Sequence, residues 1–298
     1  MIHTYCPLDG TDSHDDELYP ANFDAAAIDA SHFSARRAPD RIHYRMVRNR
    51  ATGCIRADPV LPAAVVQRLY ADSHVTNEDL RDYTTATYVQ VVQELCGQLP
   101  DRRGLLEIGA GPGWFLDAAR DLGFDRLAGV EPSRAAIARA SAAVQHHLVQ
   151  GVFEAGLFPP ESFSLVCGFQ VLDHLLDPNA VLGAVHDVLA PGGLTLWICH
   201  DAGAPVNRVL GRFSPIVDIE HVVLYDRATI RRLFERNGFE VLRVFGLANR
   251  YPLWYWTYLS PIPRLLRERL VRMLRPARLT LTMNLGNMGI LARKAAIV

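Results

Sequence analysis

The chain has 298 residues, 49% of them hydrophobic, enough to bury the core of one α/β domain with additions. Its 31 Lys and Arg nearly balance 32 Asp and Glu, so no overall field favours a nucleic-acid partner. The start, Met1-Ile2-His3-Thr4-Tyr5, lacks the basic and apolar runs of a secretory signal, and no apolar stretch reaches transmembrane length. Five scattered cysteines (Cys6, Cys54, Cys96, Cys167, Cys199) argue against a disulfide scaffold; a cytoplasmic protein with buried thiols at Cys167 and Cys199 is the expectation.

Residues 1–62 are polar and irregular, broken by Pro7, Pro20, Pro39, Pro59 and Pro62, and read as a small, partly extended subdomain. Helices are predicted over Ala63–Tyr70 and Leu80–Leu99, the second with Tyr83, Thr87, Tyr88, Val91, Val92 and Leu95 at helical spacing. Residues 63–100 would then form a helical lid. From Gly104 the pattern alternates. Strands are predicted at Leu105–Ile108, Arg126–Val130, near His147–Val149, at Ser164–Phe169 and at Leu194–Cys199, with helices such as Pro132–Gln145 and Ala180–Leu189 between them. Pro191-Gly192-Gly193 reads as the turn that launches the fifth strand. This alternation predicts an α/β fold: a mostly parallel sheet covered on both faces, with ligands at the carboxyl ends of its strands. Beyond it, a helix over Arg227–Asn237 stopped by Gly238, a strand over Phe239–Phe245 and a last strand over Leu285–Ala292 complete a domain of residues 101–298. A helical cap for the acceptor would be inserted at 203–283.

The segment Glu107-Ile108-Gly109-Ala110-Gly111-Pro112-Gly113 follows the first of these strands. Its glycines let the backbone turn sharply and approach a ligand that a Cβ would push away. A dinucleotide site would place a third glycine where Trp114 stands, and Pro112 offers a phosphate no N–H. The form E-x-G-x-G-x-G, with Glu131 ending the second strand, instead resembles motif I of class I S-adenosylmethionine (AdoMet) methyltransferases. The resemblance covers roughly residues 70–295. It implies a Rossmann-like, mostly parallel seven-stranded sheet and AdoMet as cofactor. By the same resemblance Glu107, Gly109, Ala110, Gly111 and Gly113 would flank the methionine part, and Glu131 with Pro132 the ribose. Val152 and Phe153 would flank the adenine. Phe169 and Gln170 open a motif IV-like stretch to Leu175 whose strand-end backbone would contact the cofactor, with Asp173-His174 starting a helix near the sulfonium. Tyr88, with Tyr70 and Tyr83, would cover the amino-acid end. Phe153 reads equally as a core phenylalanine, and two of the three tyrosines as packing.

Methyl transfer needs nucleophile, methyl and sulfur held in line with water excluded, and a base only where the acceptor must lose a proton. Histidine suits that role because its unperturbed pKa lies near neutrality. The candidates are His221 with Glu220, His200 after the fifth strand, and His174, which also reads as a helix-start residue shaping the pocket. Asp218-Ile219-Glu220-His221 resembles a stretch of deoxysugar C-methyltransferases in which a histidine base has acidic and tyrosine partners, although Asp218 stands where the tyrosine is expected. The aromatic run Tyr251–Tyr258 would wall the acceptor, or form a dimer contact or outer core layer. Pro263–Arg278 carries six arginines against Glu268 and reads as a basic amphipathic helix. It suits a nucleotide or phosphate-bearing substrate, a plain solvated face or, as the lesser expectation, an anionic membrane surface.

Cys6-Pro7-Leu8-Asp9-Gly10 resembles the C-x-x-C-G knuckle that precedes many sugar C-methyltransferases. Asp9, Asn49 and Thr52 stand where the other three cysteines would be, so no metal is expected and the subdomain should fold without one. Cys54 with His3, His14 and His32 is the alternative metal set. The expected function is AdoMet-dependent C- or O-methylation of a sugar-like or specialised small molecule, sugar- or nucleotide-linked, by a chain that forms homodimers. The alternatives are a catalytically silent AdoMet-binding partner and an AdoMet-fold enzyme doing non-methylating chemistry. An NAD-dependent enzyme is the weakest rival.

Overall fold

The structure is a computed structural model that describes residues 1–33, 41–73, 78–260 and 262–295; Pro39 lies outside the described residues. The N-terminal segment supplies strands β1 (Asp15–Tyr19), β2 (Met46–Asn49) and β3 (Ile55–Ala57), then helices α1 (Ala63–Ala71) and α2 (Arg81–Leu95). The alternating region follows as β4 (Leu105–Ile108), α3 (Trp114–Ala119), β5 (Leu127–Glu131), α4 (Arg134–Ile137), β6 (Leu148–Gln150), β7 (Phe163–Phe169), α5 (Pro178–Val188) and β8 (Leu189–His200). The C-terminal part contains α6 (Pro205–Leu210), β9 (Val223–Leu224), α7 (Arg227–Arg236), β10 (Phe239–Pro252), α8 (Leu253–Leu259), α9 (Arg264–Leu274) and β11 (Thr280–Lys294).

The main sheet has seven strands in the order β10-β11-β8-β7-β4-β5-β6. The five strands from β4 to β8 pair in parallel, whereas β11 is antiparallel to both β8 and β10. Every residue of β5 and β7 is buried, as expected of strands covered on both faces. Leu182 and Val185 of α5 and Leu233 and Phe234 of α7 belong to the core on one face. Val92 and Leu95 of α2 and Phe115 and Leu116 of α3 belong to the core on the other. Chain order reverses at β4, which lies between β5 and β7, the point at whose strand ends open α/β sheets bind their ligands.

Several element boundaries differ from the sequence reading. The helix expected over Pro132–Gln145 shrinks to Arg134–Ile137, capped by Ser133, whose hydroxyl accepts the Ala136 N–H at 3.2 Å. Its continuation is mostly alanine and serine, with too little apolar side chain to hold a longer helix by packing. The second helix ends at Leu95, because residues Cys96–Gln98 tighten into a 3₁₀ turn before Pro100. Strand β8 starts at Leu189, so Pro191-Gly192-Gly193 is an excursion within the strand: Phe163 pairs with Leu189 but Leu165 with Leu194. Strands β10 and β11 run far beyond the spans predicted for them and pair with each other from Phe239–Lys294 to Pro252–Thr280. Within 203–283, therefore, residues 239–252 and 280–283 belong to the sheet, and the aromatic run ends β10 at Tyr251-Pro252 and continues as α8.

A second, antiparallel sheet has the order β1-β2-β3-β9. Its last strand begins two residues after His221, so the N-terminal segment packs against the middle of the C-terminal half.

Candidate active site

The glycine loop is shaped by three left-handed residues, Gly109 (φ 71°), Gly111 (φ 54°) and Gly113 (φ 67°). A Cβ on Gly109 would collide with the Val171 side chain, so the loop and the turn after β7 sit in direct contact. A Cβ on Gly111 would meet nothing within 4 Å, leaving that flank of the loop open. Glu131 ties the loop to β5: its two carboxylate oxygens accept the Gly111 N–H at 2.8 Å and the Ser133 N–H at 2.7 Å. Burial raises its pKa against the opposing pull of those two N–H groups. Glu107 is buried at the end of β4, and its Oε2 accepts no hydrogen bond among the described residues. Burial, then the charge of Glu131, pushes its carboxyl well above the usual range.

Gln170, directly after β7, is held at φ 58°, a left-handed conformation costly for a residue with a side chain. Its backbone N–H donates to the Ile198 carbonyl at 2.6 Å, which locks it to β8, while its buried Oε1 accepts no hydrogen bond among the described residues. Phe169 stacks on Tyr88 of α2 (centroids 4.1 Å apart, 15°) and meets Phe115 edge-on. Of the three tyrosines, Tyr88 thus packs beside the motif IV-like strand end, Tyr70 meets His174, and Tyr83 packs against the α8–α9 layer. Ala110 and Phe153 are buried in the core, Pro132 is half-buried and Val152 is exposed.

Past Gln170 the chain builds a second constellation. Asp173 is fully buried in the turn after β7, and its Oδ2 lies 2.6 Å from Nδ1 of His200 at the end of β8. His221 Nε2 is 3.9 Å from the same oxygen, and His174 Nε2 is 3.7 Å from Oδ1. The His221 ring stands edge-on to both others, with centroids 4.7 Å from His200 and 4.8 Å from His174. Tyr70 of α1 hydrogen-bonds His174 Nδ1 at 2.7 Å. Burial, then the charges of Glu220 and Asp218, keeps the Tyr70 phenol protonated. For Asp173 burial acts upward, but the three histidines outweigh it and hold the carboxyl below the ordinary range. The Asp173, His200 and His221 ligand atoms lie within 4.8 Å of one another, a spacing that also suits a metal ion.

Backbone pairing positions His221. The Val222 N–H donates to the Asp173 carbonyl at 2.8 Å, and the Val222 carbonyl accepts the Ala57 N–H at 2.8 Å. The small sheet therefore clamps His221 onto the end of the large one. Sequence reasoning selected all three histidines but gave Asp173 no role. The available signal was an acid beside His174, three residues after the strand-end glutamine.

The four knuckle positions also converge. Cys6 Sγ lies 3.2 Å from Thr52 Oγ1, and Asn49 Nδ2 donates to Asp9 Oδ2 at 3.2 Å. Two hydrogen-bonded pairs occupy the places that four thiolates would take. Hydrogen bonds to Cys54 and Thr52 lower the Cys6 thiol to about 6 against the effect of burial. Of the alternative metal set, His3 faces Asp58 and His32 faces Asp29.

The sequence profile described as a methyltransferase domain matches residues 80–244, more than half of the chain. The chain belongs to this methyltransferase family. It is 30% identical over 136 residues to a ubiquinone biosynthesis O-methyltransferase of Ruegeria pomeroyi, an alignment covering 41% of this chain and 52% of that protein. It is also 30% identical over 149 residues to a probable S-adenosylmethionine-dependent methyltransferase of Mycolicibacterium smegmatis, covering 49% of this chain and 55% of the relative. The chain thus spans about half the length of the curated relatives it matches. Among solved structures, the YcgJ protein of Bacillus subtilis superposes with a TM-score of 0.52 at 19% identity, covering 70% of this chain and 98% of that one. The seven-stranded sheet is accordingly the class I methyltransferase fold. AdoMet is the cofactor of this family, and Glu107, whose buried Oε2 has no partner among the described residues, the open flank at Gly111 and the Glu131 carboxylate are the groups that would hold it.

Proposed function

We propose that this methyltransferase transfers the AdoMet methyl group to a small-molecule acceptor, a sugar-like or other specialised metabolite, at an oxygen or carbon that His200 deprotonates. Bound AdoMet supplies an electrophilic methyl group on its sulfonium. The chain's own work is to bind, align and deprotonate. Glu131 retains lone pairs for the ribose hydroxyls beyond the two it commits to Gly111 and Ser133. Glu107 and Gln170 each present a buried, unsatisfied oxygen at a strand end.

The observation that carries the base assignment is the 2.6 Å contact between Asp173 and His200. A buried carboxylate on Nδ1 fixes the imidazole tautomer and stabilises the imidazolium that forms when Nε2 takes a proton. His200 is also the more open histidine, its side chain 26% exposed against 10% for His221. His221 with Glu220 then supports the cluster, and His174 is oriented by Tyr70. The test is methyl transfer to a panel of hydroxylated and keto acceptors, read by product mass, with AdoMet affinity measured by calorimetry. His200→Gln should lose about 10²- to 10⁴-fold in turnover with AdoMet affinity nearly intact. If His221→Gln shows that loss and His200→Gln does not, the base is His221. A second reading comes from the ligand spacing of Asp173, His200 and His221: a divalent ion held there would activate an acceptor hydroxyl. Turnover abolished by a chelator and restored by a divalent metal would favour it.

A further inference from the structure

The β10–β11 pair does more than finish the sheet. Strand β11 pairs with β8 only from Arg293–Leu194 to Asn287–His200. Beyond that point Gly286 accepts the Asp201 N–H at 2.8 Å and residues 280–283 pair with β10, so the pair runs on as an arm past the carboxyl end of β8, the side on which His200 lies. Helices α8 and α9 close the arm. Trp254 and Tyr255 of α8 pack with Leu80, and Val271 and Leu274 of α9 lie against them. That accounts for one side of α9.

Among the described residues nothing covers the opposite side. Leu265 is 83% exposed, Met273 66% and Leu266 50%, and Leu279, Leu281 and Leu285 of the arm are exposed as well. Leu265, Arg269 and Met273 recur every four residues and form one line along the helix. The same segment, Pro263–Arg278, holds six arginines and one glutamate, a local charge of +5 in a chain whose total is −1. Arg264 pairs with Glu268 at 2.7 Å and Arg275 with Asp79 at 2.8 Å. Among the described residues no carboxylate lies within ion-pair distance of Arg267, Arg269, Arg272 or Arg278.

We propose that this face of α9, with the adjoining arm, docks on the surface of an anionic lipid bilayer. Apolar side chains flanked by arginines match the two layers such a surface offers, acyl chains below and phosphates above. A solvated helix face has no need of three exposed apolar side chains on one arc. A soluble phosphate ligand would use the arginines and leave the leucines unexplained. An isologous contact with a second copy would set the arginine clusters against each other. This inference does not depend on which histidine is the base.

The experiment is flotation of the full chain with vesicles of phosphatidylcholine alone and with about one-third phosphatidylglycerol added. Wild-type protein should float with the anionic vesicles at least about tenfold more than with the neutral ones, and high salt should weaken the association. Leu265→Gln/Leu266→Gln/Met273→Gln should reduce partitioning at least about tenfold, and Arg269→Gln/Arg272→Gln should remove most of the preference for anionic lipid. These positions are exposed, and an unchanged melting temperature checks that the variants fold. Equal flotation of the triple variant, or no flotation of wild type, overturns the proposal. So does self-association of wild type without vesicle binding, or glycerol phosphate competing as a free ligand at the affinity of the vesicles.

Discussion

Asp173→Asn keeps the shape of the side chain and removes its charge. Asp173 is buried, 2.6 Å from His200 Nδ1, with His221 and His174 at 3.9 and 3.7 Å. A neutral amide does not stabilise an imidazolium, and its NH₂ end favours the wrong tautomer of His200. Where a buried carboxylate orients a histidine base, its loss costs turnover about 10²- to 10⁴-fold, or about 2.7–5.5 kcal/mol of barrier. The same substitution has a stability signature. Burial would raise the Asp173 pKa, but the three histidines hold it below the ordinary value, so the folded pKa is the lower one. The stabilisation is therefore present above an unfolded-state carboxyl pKa of about 3.9, and fades as pH falls toward the folded value. The difference in unfolding free energy from wild type should be about 1–3 kcal/mol at neutral pH and should shrink below about pH 4. The assays are turnover against pH at saturating acceptor, the AdoMet dissociation constant, and denaturant unfolding across the same pH range. Asp173 acts by positioning, so the pH profile must change while AdoMet affinity holds. Turnover within about threefold of wild type with an unaltered pH profile would make the pair structural and remove His200 from the chemistry.

Glu131→Gln leaves one amide oxygen where two carboxylate oxygens accept the Gly111 and Ser133 N–H groups. AdoMet affinity should fall about 10- to 100-fold by calorimetry; an unchanged value would detach Glu131 from the ribose. The Glu107 carboxyl is raised by burial and by Glu131, so its protonated form favours the fold and its contribution is lost as pH rises from about 4.3 toward the folded pKa, at about 1.4 kcal/mol per unit. Glu107→Gln should accordingly stabilise the free protein more at pH 8 than at pH 5, and equal effects at both would place the carboxyl in contact with water. Asp9→Cys/Asn49→Cys/Thr52→Cys should combine with Cys6 into a tetrahedral zinc site, seen as a thiolate absorption band with cobalt and a metal-dependent rise in melting temperature. No metal uptake would mean that the four positions do not converge as the two hydrogen-bonded pairs indicate.

Local signals carried much of the fold. Alternation from Leu105 to His200 placed the parallel strands within a few residues, and positive φ at Gly109, Gly111 and Gly113 is what the spacing of three glycines required. The failures share a cause. The helix after Ser133 stops early because helical propensity without buried apolar side chains does not hold a turn. Strands β10 and β11 run long because each is the other's partner, and no property of either segment alone reports that pairing.

By itself, then, the amino-acid order determined the parallel sheet, the glycine bend and the acid at the end of β5. These depend on backbone conformation and on periodicity, both written within a dozen neighbouring residues. Only the folded chain decided that Asp173, His200 and His221 meet, that Tyr70 reaches His174, and that a strand following His221 completes the N-terminal sheet. Those contacts join segments far apart along the chain. They arise when strand ends are brought level by hydrogen-bond register, which no single segment encodes.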